Sequence, residues 1–329
     1  MRPFLTLKKK EGSIMKRILT LALTITSLSS FAGVDSAEHV DVVYGQDGRK
    51  DLYEITDPTI LKLAASTASM VPNQRLSSSA ISNSYAISHV ETLEESDNVC
   101  PTEKFSEQPS AAICSGFLIG PDTLVTAGHC MDPGQLPGAC PNFSWVFDLK
   151  MQNANTINLN NISKNNVYKC KQVIAQKLSM EVDYAVIKLD RPVVGRLPLK
   201  FRKSGAITNN QRLIVIGNPS GLPTKVTDGN VIRIENPNYF GTNLDTFHGN
   251  SGSAVINATT GEVEGILVRG KTDYVPSIPS NPMSCLVVNK CDMSGKSCTS
   301  GSSLRDPDSE QVTRISLVLP YISKLSRRR

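Results

Sequence analysis

Beyond about residue 110 the chain is built from short apolar runs separated by Gly, Pro, Asn and Asp, with no sustained three-to-four-residue repeat of apolar positions. Runs of that length between turn signals predict strands. They fall at 116–119, 124–127, 145–148, 167–174, 184–189, 212–216, 231–234, 254–256, 264–268 and 285–288. No long amphipathic helix alternates with them, which excludes a doubly wound α/β fold and predicts an all-β architecture of barrels. Only 320–325 near the C-terminus reads as a short helix. The stretch 191–210 carries Pro192, Gly195, Pro198 and Gly205, breakers that suit a joint between two halves. Residues 33–80 are more polar, with a modest helical pattern at Ile60, Leu61, Leu63 and Ala64 and a serine-rich stretch over 77–84, and read as a leader or wrapping segment.

The N-terminal pattern is of another kind. Met15, Lys16 and Arg17 form a basic start, 18–28 is apolar, and Ser30-Phe31-Ala32 offers a small-x-small cleavage site. An apolar run of that length is too short to span a bilayer, which needs about 20 residues, so a cleaved signal peptide over 1–32 is expected, with a possible true start at Met15. Export fits the cysteines, which number 8 and include no C-x-x-C pair. An even cysteine count in an exported chain points to disulfides rather than to a metal site, and no metal or cofactor is expected.

Overall composition narrows the partners. Of 329 residues, 35 are Lys or Arg and 30 Asp or Glu, a net charge of +5 with no long basic stripe. Nothing in this balance calls for a nucleic-acid partner. Arg327, Arg328 and Arg329 read as a solvated tail, and His39 and His89 as surface or buried structural histidines.

Three segments carry candidate chemistry. In Thr126-Ala127-Gly128-His129-Cys130, the chain returns after Cys114-Ser115-Gly116, so that Cys130 could bond to Cys114 and fix the backbone of His129. An imidazole, with a reference pKa near 6.5, can accept a proton at neutral pH and return it. The second segment, Asp183-Tyr184-Ala185-Val186, places an acid at the mouth of an apolar strand, where it is costly unless paired. Holding the other nitrogen of an imidazole would satisfy it and fix the tautomer. The third, His248-Gly249-Asn250-Ser251-Gly252-Ser253, surrounds a hydroxyl with small residues, and the N–H groups of Gly249 and Ser251 could face one point as an oxyanion hole.

Taken together, these segments resemble the chymotrypsin-fold serine endopeptidases over roughly residues 110–270. The resemblance implies His129 as base, Asp183 as its orienter, Ser251 as nucleophile, and two packed six-stranded antiparallel barrels with the triad in the cleft between them. It implies a peptidase domain over 81–329, with barrel 1 at about 81–195 and barrel 2 at about 196–329. The α/β-hydrolase elbow is excluded, since G-x-S-x-G would need glycine where Ser253 stands. The expected protein is a secreted monomer, extracellular or periplasmic, that acts on polypeptides and has no membrane association once the signal is cleaved. A catalytically silent binding protein, or an esterase or acyltransferase using the same triad, are the rival readings.

Within that superfamily the chain is most similar to the bacterial glutamyl endopeptidases, which share the Asn before the nucleophile and the Ser-Gly-Ser after it, and whose mature start resembles Val43-Tyr44-Gly45-Gln46-Asp47-Gly48-Arg49. Asn250 cannot form the ion pair that trypsin's Asp makes with a new N-terminus, although removal of an N-terminal arm somewhere between about residues 40 and 80 stays compatible. The acid-binding histidine of the glutamyl enzymes is replaced by Leu267. Arg269 or His248 could bind an acidic side chain instead. Asp245, with Thr246, stands where trypsin has its pocket acid, and Gly270 completes the candidate substrate-binding set. Acidic preference is expected ahead of basic. Cys114 with Cys130 is the expected disulfide where resemblance and strand return agree, Cys140 with Cys170 is a second, and Cys100, Cys285, Cys291 and Cys298 allow three pairings.

Overall fold

Two rings of six antiparallel strands account for the architecture of the computed structural model, which describes residues 41–329 apart from 80, 135, 235, 300–308 and 327–329. The expected signal peptide lies outside the described residues. Barrel 1 consists of β1 (Thr67–Pro72), β2 (Cys114–Gly120), β3 (Thr123–Thr126), β4 (Phe143–Phe147), β5 (Val167–Leu178) and β6 (Asp183–Leu189), paired in the order β4-β5-β6-β3-β2-β1 and closed by β1 on β4. Barrel 2 consists of β7 (Arg212–Gly217), β8 (Lys225–Arg233), β9 (Tyr239–Thr242), β10 (Ala254–Asn257), β11 (Val263–Arg269) and β12 (Glu310–Arg314). Its order is β7-β10-β11-β12-β9-β8, closed by β8 on β7. Closure removes the open edges that would otherwise invite pairing with other chains.

The strand pattern follows from side chains that fill each lumen. Met70, Phe117, Leu124, Trp145, Phe147, Tyr168 and Ile187 are buried in barrel 1, and Leu213, Val215, Val231, Phe240, Val255, Leu267 and Val312 in barrel 2. Each large apolar side chain removed from water contributes about 1.5–3 kcal/mol before entropy is counted. The C-terminal helix, Leu319–Ser326, is the element expected near 320–325.

Three placements differ from the sequence expectation. The segment 33–80 is not all leader: β1 lies within it and is the strand that closes barrel 1, so that barrel begins before residue 81. The run at 285–288 is not a barrel strand, because Leu286–Val288 pairs with Tyr274–Pro276 in a separate ribbon. Two barrel 2 strands, β9 and β12, fall in stretches that read as polar or too short.

Ahead of β1, residues 41–54 lie against barrel 2. Lys50–Asp51 adds a short strand to β8, and the Asp51 carboxylate takes the Lys225 ammonium at 2.5 Å, with Gln108 bonding both. Arg49 is buried, its guanidinium held by Asp47 and stacked 4.0 Å from the centre of the Phe247 ring. The chain then enters the helix Pro58–Ala64 through Asp57, whose carboxylate caps the Thr59 N–H at 2.7 Å with proline in the first turn.

All eight cysteines are paired, as Cys100–Cys285, Cys114–Cys130, Cys140–Cys170 and Cys291–Cys298. The first joins residues 185 apart in sequence, which restricts the unfolded chain most. Among the described residues no helix is long and apolar enough to cross a membrane.

Candidate active site

His129 opens a single helical turn, His129–Met131, directly after β3, and Asp183 is the first residue of β6, the neighbour of β3 in the ring. The sheet register therefore brings together two residues that are 54 apart in sequence. Asp183 Oδ2 lies 2.8 Å from His129 Nδ1, while Oδ1 accepts the N–H groups of Gly128 at 2.5 Å and His129 at 3.1 Å. Three donors around one buried carboxylate repay its loss of water. They also orient the ring: Nδ1 faces the acid, so Nε2 is left as the nitrogen free to take up a proton.

Ser251 sits in the loop that leads into β10. Its carbonyl accepts the Ser115 N–H at 2.8 Å and lies 3.7 Å from Cys130 Sγ, so the Cys114–Cys130 disulfide is shared between the Ser251 and His129 backbones. Among the described residues no hydrogen bond joins Ser251 Oγ to the imidazole; such contacts are often long without substrate and tighten when it binds. The neighbouring N–H groups of Asn250, Gly252 and Ser253 are committed to Phe247, Leu267 and Asn250 carbonyls at 3.0, 2.7 and 2.8 Å. Those of Gly249 and Ser251 have no acceptor among the described residues. Gly249 has φ +82°, and a Cβ there would fall 2.5 Å from the Asn218 carbonyl oxygen, so only glycine permits this turn.

Beside Ser251 is a cavity of about 200 Å³, lined by Thr246, Phe247, Leu267, Gly270 and Glu310 among others. Of the expected substrate-binding residues, Thr246, His248, Leu267, Arg269 and Gly270 line it. Asp245 does not. It is buried beneath the loop and accepts N–H groups from Tyr44 at 2.7 Å and Gly48 at 2.8 Å, so it anchors the segment 41–49 instead of facing substrate. His248 is also otherwise engaged: Nδ1 meets Asp273 at 2.8 Å and Nε2 meets Asp97 at 3.2 Å. Its partial burial disfavours the imidazolium, but the two carboxylates outweigh this and raise its pKa to about 10. A cation balanced by two acids is a poor receptor for a third. The Arg269 guanidinium turns away to the carbonyl oxygens of Met180 at 2.5 Å and Ser179 at 3.5 Å.

Glu310, the first residue of β12, was not among the expected site residues. Its carboxylate accepts the Thr246 hydroxyl at 2.6 Å and the Lys271 N–H at 3.2 Å. The only signal in the sequence is an acid at the head of a strand, a common surface motif.

Burial raises the Glu310 carboxyl to about 8 and Asp245 to about 7, the latter in spite of its two N–H donors. Their unfolded values lie near 4. The folded protein therefore holds protons that the unfolded chain has released, and the stability these groups contribute is full below about pH 4 and lost as pH rises through 7–8. His248, raised above its unfolded value, acts in the same direction. Burial lowers Lys225 to about 8, which works in the opposite sense but only above that pH. The melting temperature is expected to fall between pH 5 and 8 by an amount equivalent to a few kcal/mol. Calorimetry checks this, and Asp245→Asn should flatten the slope.

Residues 114–266 match the family model of the trypsin-like peptidase domain, a stretch that contains His129, Asp183 and Ser251. No curated protein matches the chain by sequence. Among solved structures, a Glu endopeptidase in complex with MPD is 15% identical, with a TM-score of 0.48, covering 87% of this chain and 100% of its own. Human heparin binding protein is 13% identical at 0.48, covering 86% and 97%, and Vibrio cholerae VesB protease 11% at 0.48, covering 85% and 67%. These are remote likenesses, and neither substrate nor partner is carried over from them.

Proposed function

We propose that this chain, a serine endopeptidase whose trypsin-like peptidase domain spans residues 114–266, cuts polypeptides by acyl transfer from Ser251. In this reading Ser251 Oγ attacks the scissile carbonyl and His129 Nε2 takes its proton. Asp183 stabilises the imidazolium through the 2.8 Å contact at Nδ1. The carbonyl oxygen, now negative, is met by the Gly249 and Ser251 N–H groups. His129 returns the proton to the leaving amine, and water, activated by the same ring, releases the acyl group.

The single observation that carries the reading is the carboxylate of Asp183 locked on His129 by three donors, behind a loop whose Gly249 and Ser251 amides have no acceptor among the described residues. A purely structural histidine needs neither feature. Four disulfides support a location outside the reducing cytoplasm. The domain reading becomes a peptidase unit that draws β1 from the segment before residue 81 and is braced by residues 41–54. Hydrolysis of casein by the purified protein, lost in Ser251→Ala, tests the activity.

A further inference from the structure

We infer that Glu310 is the specificity-determining residue of the cavity beside Ser251, and that the protein takes peptides with a lysine or arginine immediately before the scissile bond. This rests on the acyl-transfer reading above and adds the class of substrate.

Glu310 is a buried acid with no ion-pair partner. Glu310 is only 2% exposed, and no Lys, Arg or His of the described residues forms an ion pair with it. Its two contacts come from neutral donors, the Thr246 hydroxyl on Oε2 and the Lys271 main-chain N–H on Oε1. A carboxylate has about four acceptor sites, so capacity remains. Among the other buried acids, Asp51 has Lys225 and Glu264 has Arg202 at 2.5 Å, while Asp245, also without an ion pair, has its oxygens taken by the Tyr44 and Gly48 N–H groups and the Thr227 hydroxyl and does not line the cavity.

Two of the three positive groups lining the cavity are already balanced or directed elsewhere, and the third, the Lys271 ammonium, acts on Glu310 through space without forming an ion pair with it. His248 lies between Asp97 and Asp273, and Arg269 reaches the 179–180 carbonyls. An entering carboxylate would thus meet the Glu310 carboxyl, with the Lys271 ammonium as the one lining cation not already held by an acid or a carbonyl among the described residues. An entering ammonium or guanidinium would gain a charge-assisted hydrogen bond to a carboxylate in the wall. Leu267, Val268 and Phe247 offer apolar surface for the aliphatic stem of either side chain. At about 200 Å³ the cavity exceeds the roughly 30 Å³ of a water several times over.

Gly270 keeps the carboxylate accessible. A Cβ at that position would lie 1.9 Å from Glu310 Oε2, so the glycine lets the acid stand in the wall rather than behind a side chain. The groups facing Glu310 are Thr246 and Lys271, with Asp273 and Tyr44 nearby; the Lys271 ammonium favours the ionised acid and Asp273 opposes it, and neither forms an ion pair with it. The burial that lifts its pKa when the cavity is empty is the penalty that a bound cation relieves, which is binding energy available only to a basic side chain.

The test is cleavage of a peptide library varied at the residue before the cut, read by mass spectrometry for wild-type protein and for Glu310→Gln. Wild-type cleavage after Lys and Arg, with kcat/KM for these falling about 10- to 100-fold in Glu310→Gln relative to uncharged residues, is the expected result. Wild-type cleavage after Glu, Asp or uncharged residues overturns the inference and leaves the peptidase reading standing. No cleavage of any peptide by folded wild-type protein overturns both. A second measurement needs no turnover: p-aminobenzamidine should bind Ser251→Ala protein more tightly than neutral benzamide by a similar factor, and equal binding overturns the inference.

Discussion

Replacing Ser251 with alanine is expected to lower kcat for peptide hydrolysis by about 10⁶-fold, with the protein still folded. The size follows from the way the three groups act as a unit: without the hydroxyl there is no acyl-enzyme, and the oxyanion site and binding alone leave a residual of about 10³–10⁴ over water. Stability should hardly change, because the anchors of this loop are main-chain groups. The Ser251 carbonyl keeps the Ser115 N–H, and the turn is set by Asn250 N to Phe247 O and Ser253 N to Asn250 O. A melting temperature close to wild type beside the lost activity separates chemistry from misfolding.

Asp183→Asn is the second large effect, about a 10⁴-fold loss in kcat at neutral pH. The asparagine carbonyl can keep the N–H groups of Gly128 and His129 that Asp183 Oδ1 now accepts. Its amide nitrogen then occupies the position of Oδ2, 2.8 Å from Nδ1. That nitrogen donates, so Nδ1 must accept and the ring proton moves to Nε2. An imidazole protonated at Nε2 cannot take the proton of Ser251. Nitrogen NMR of the ring distinguishes this from simple loosening: a tautomer change with the ring still ordered is expected, whereas an unchanged tautomer would remove Asp183 from its assigned role.

The motifs around His129, Asp183 and Ser251 were readable because each is short and contiguous, and because the chain order of the three was enough to suggest their meeting. What the sequence hid depends on distant partners. Asp245 carries the spacing of a pocket acid, but the N–H groups that hold it belong to Tyr44 and Gly48, roughly 200 residues earlier. The buried ends of the arm at Asp51 and Lys225 are 174 apart. Strand β1 escaped notice because both faces are buried, with Thr67 and Ser69 inside beside Ala68, Met70 and Val71, which erases the period-two alternation. Strand β12, Glu-Gln-Val-Thr-Arg, reads as polar, yet Glu310, Val312 and Thr313 are buried while Gln311 and Arg314 are partly exposed. The acid that heads it faces a cavity that exists only once barrel 2 has closed.

Reaction with a fluorophosphonate, followed by peptide mapping, would show whether Ser251 is the nucleophile, since the reagent reports an activated serine hydroxyl without requiring a known substrate. One adduct is expected, on Ser251, formed rapidly in wild-type protein and strongly slowed in Asp183→Asn. A folded protein that hydrolyses peptides while Ser251 stays unlabelled, or that is labelled at another residue instead, would rule out Ser251 as the nucleophile.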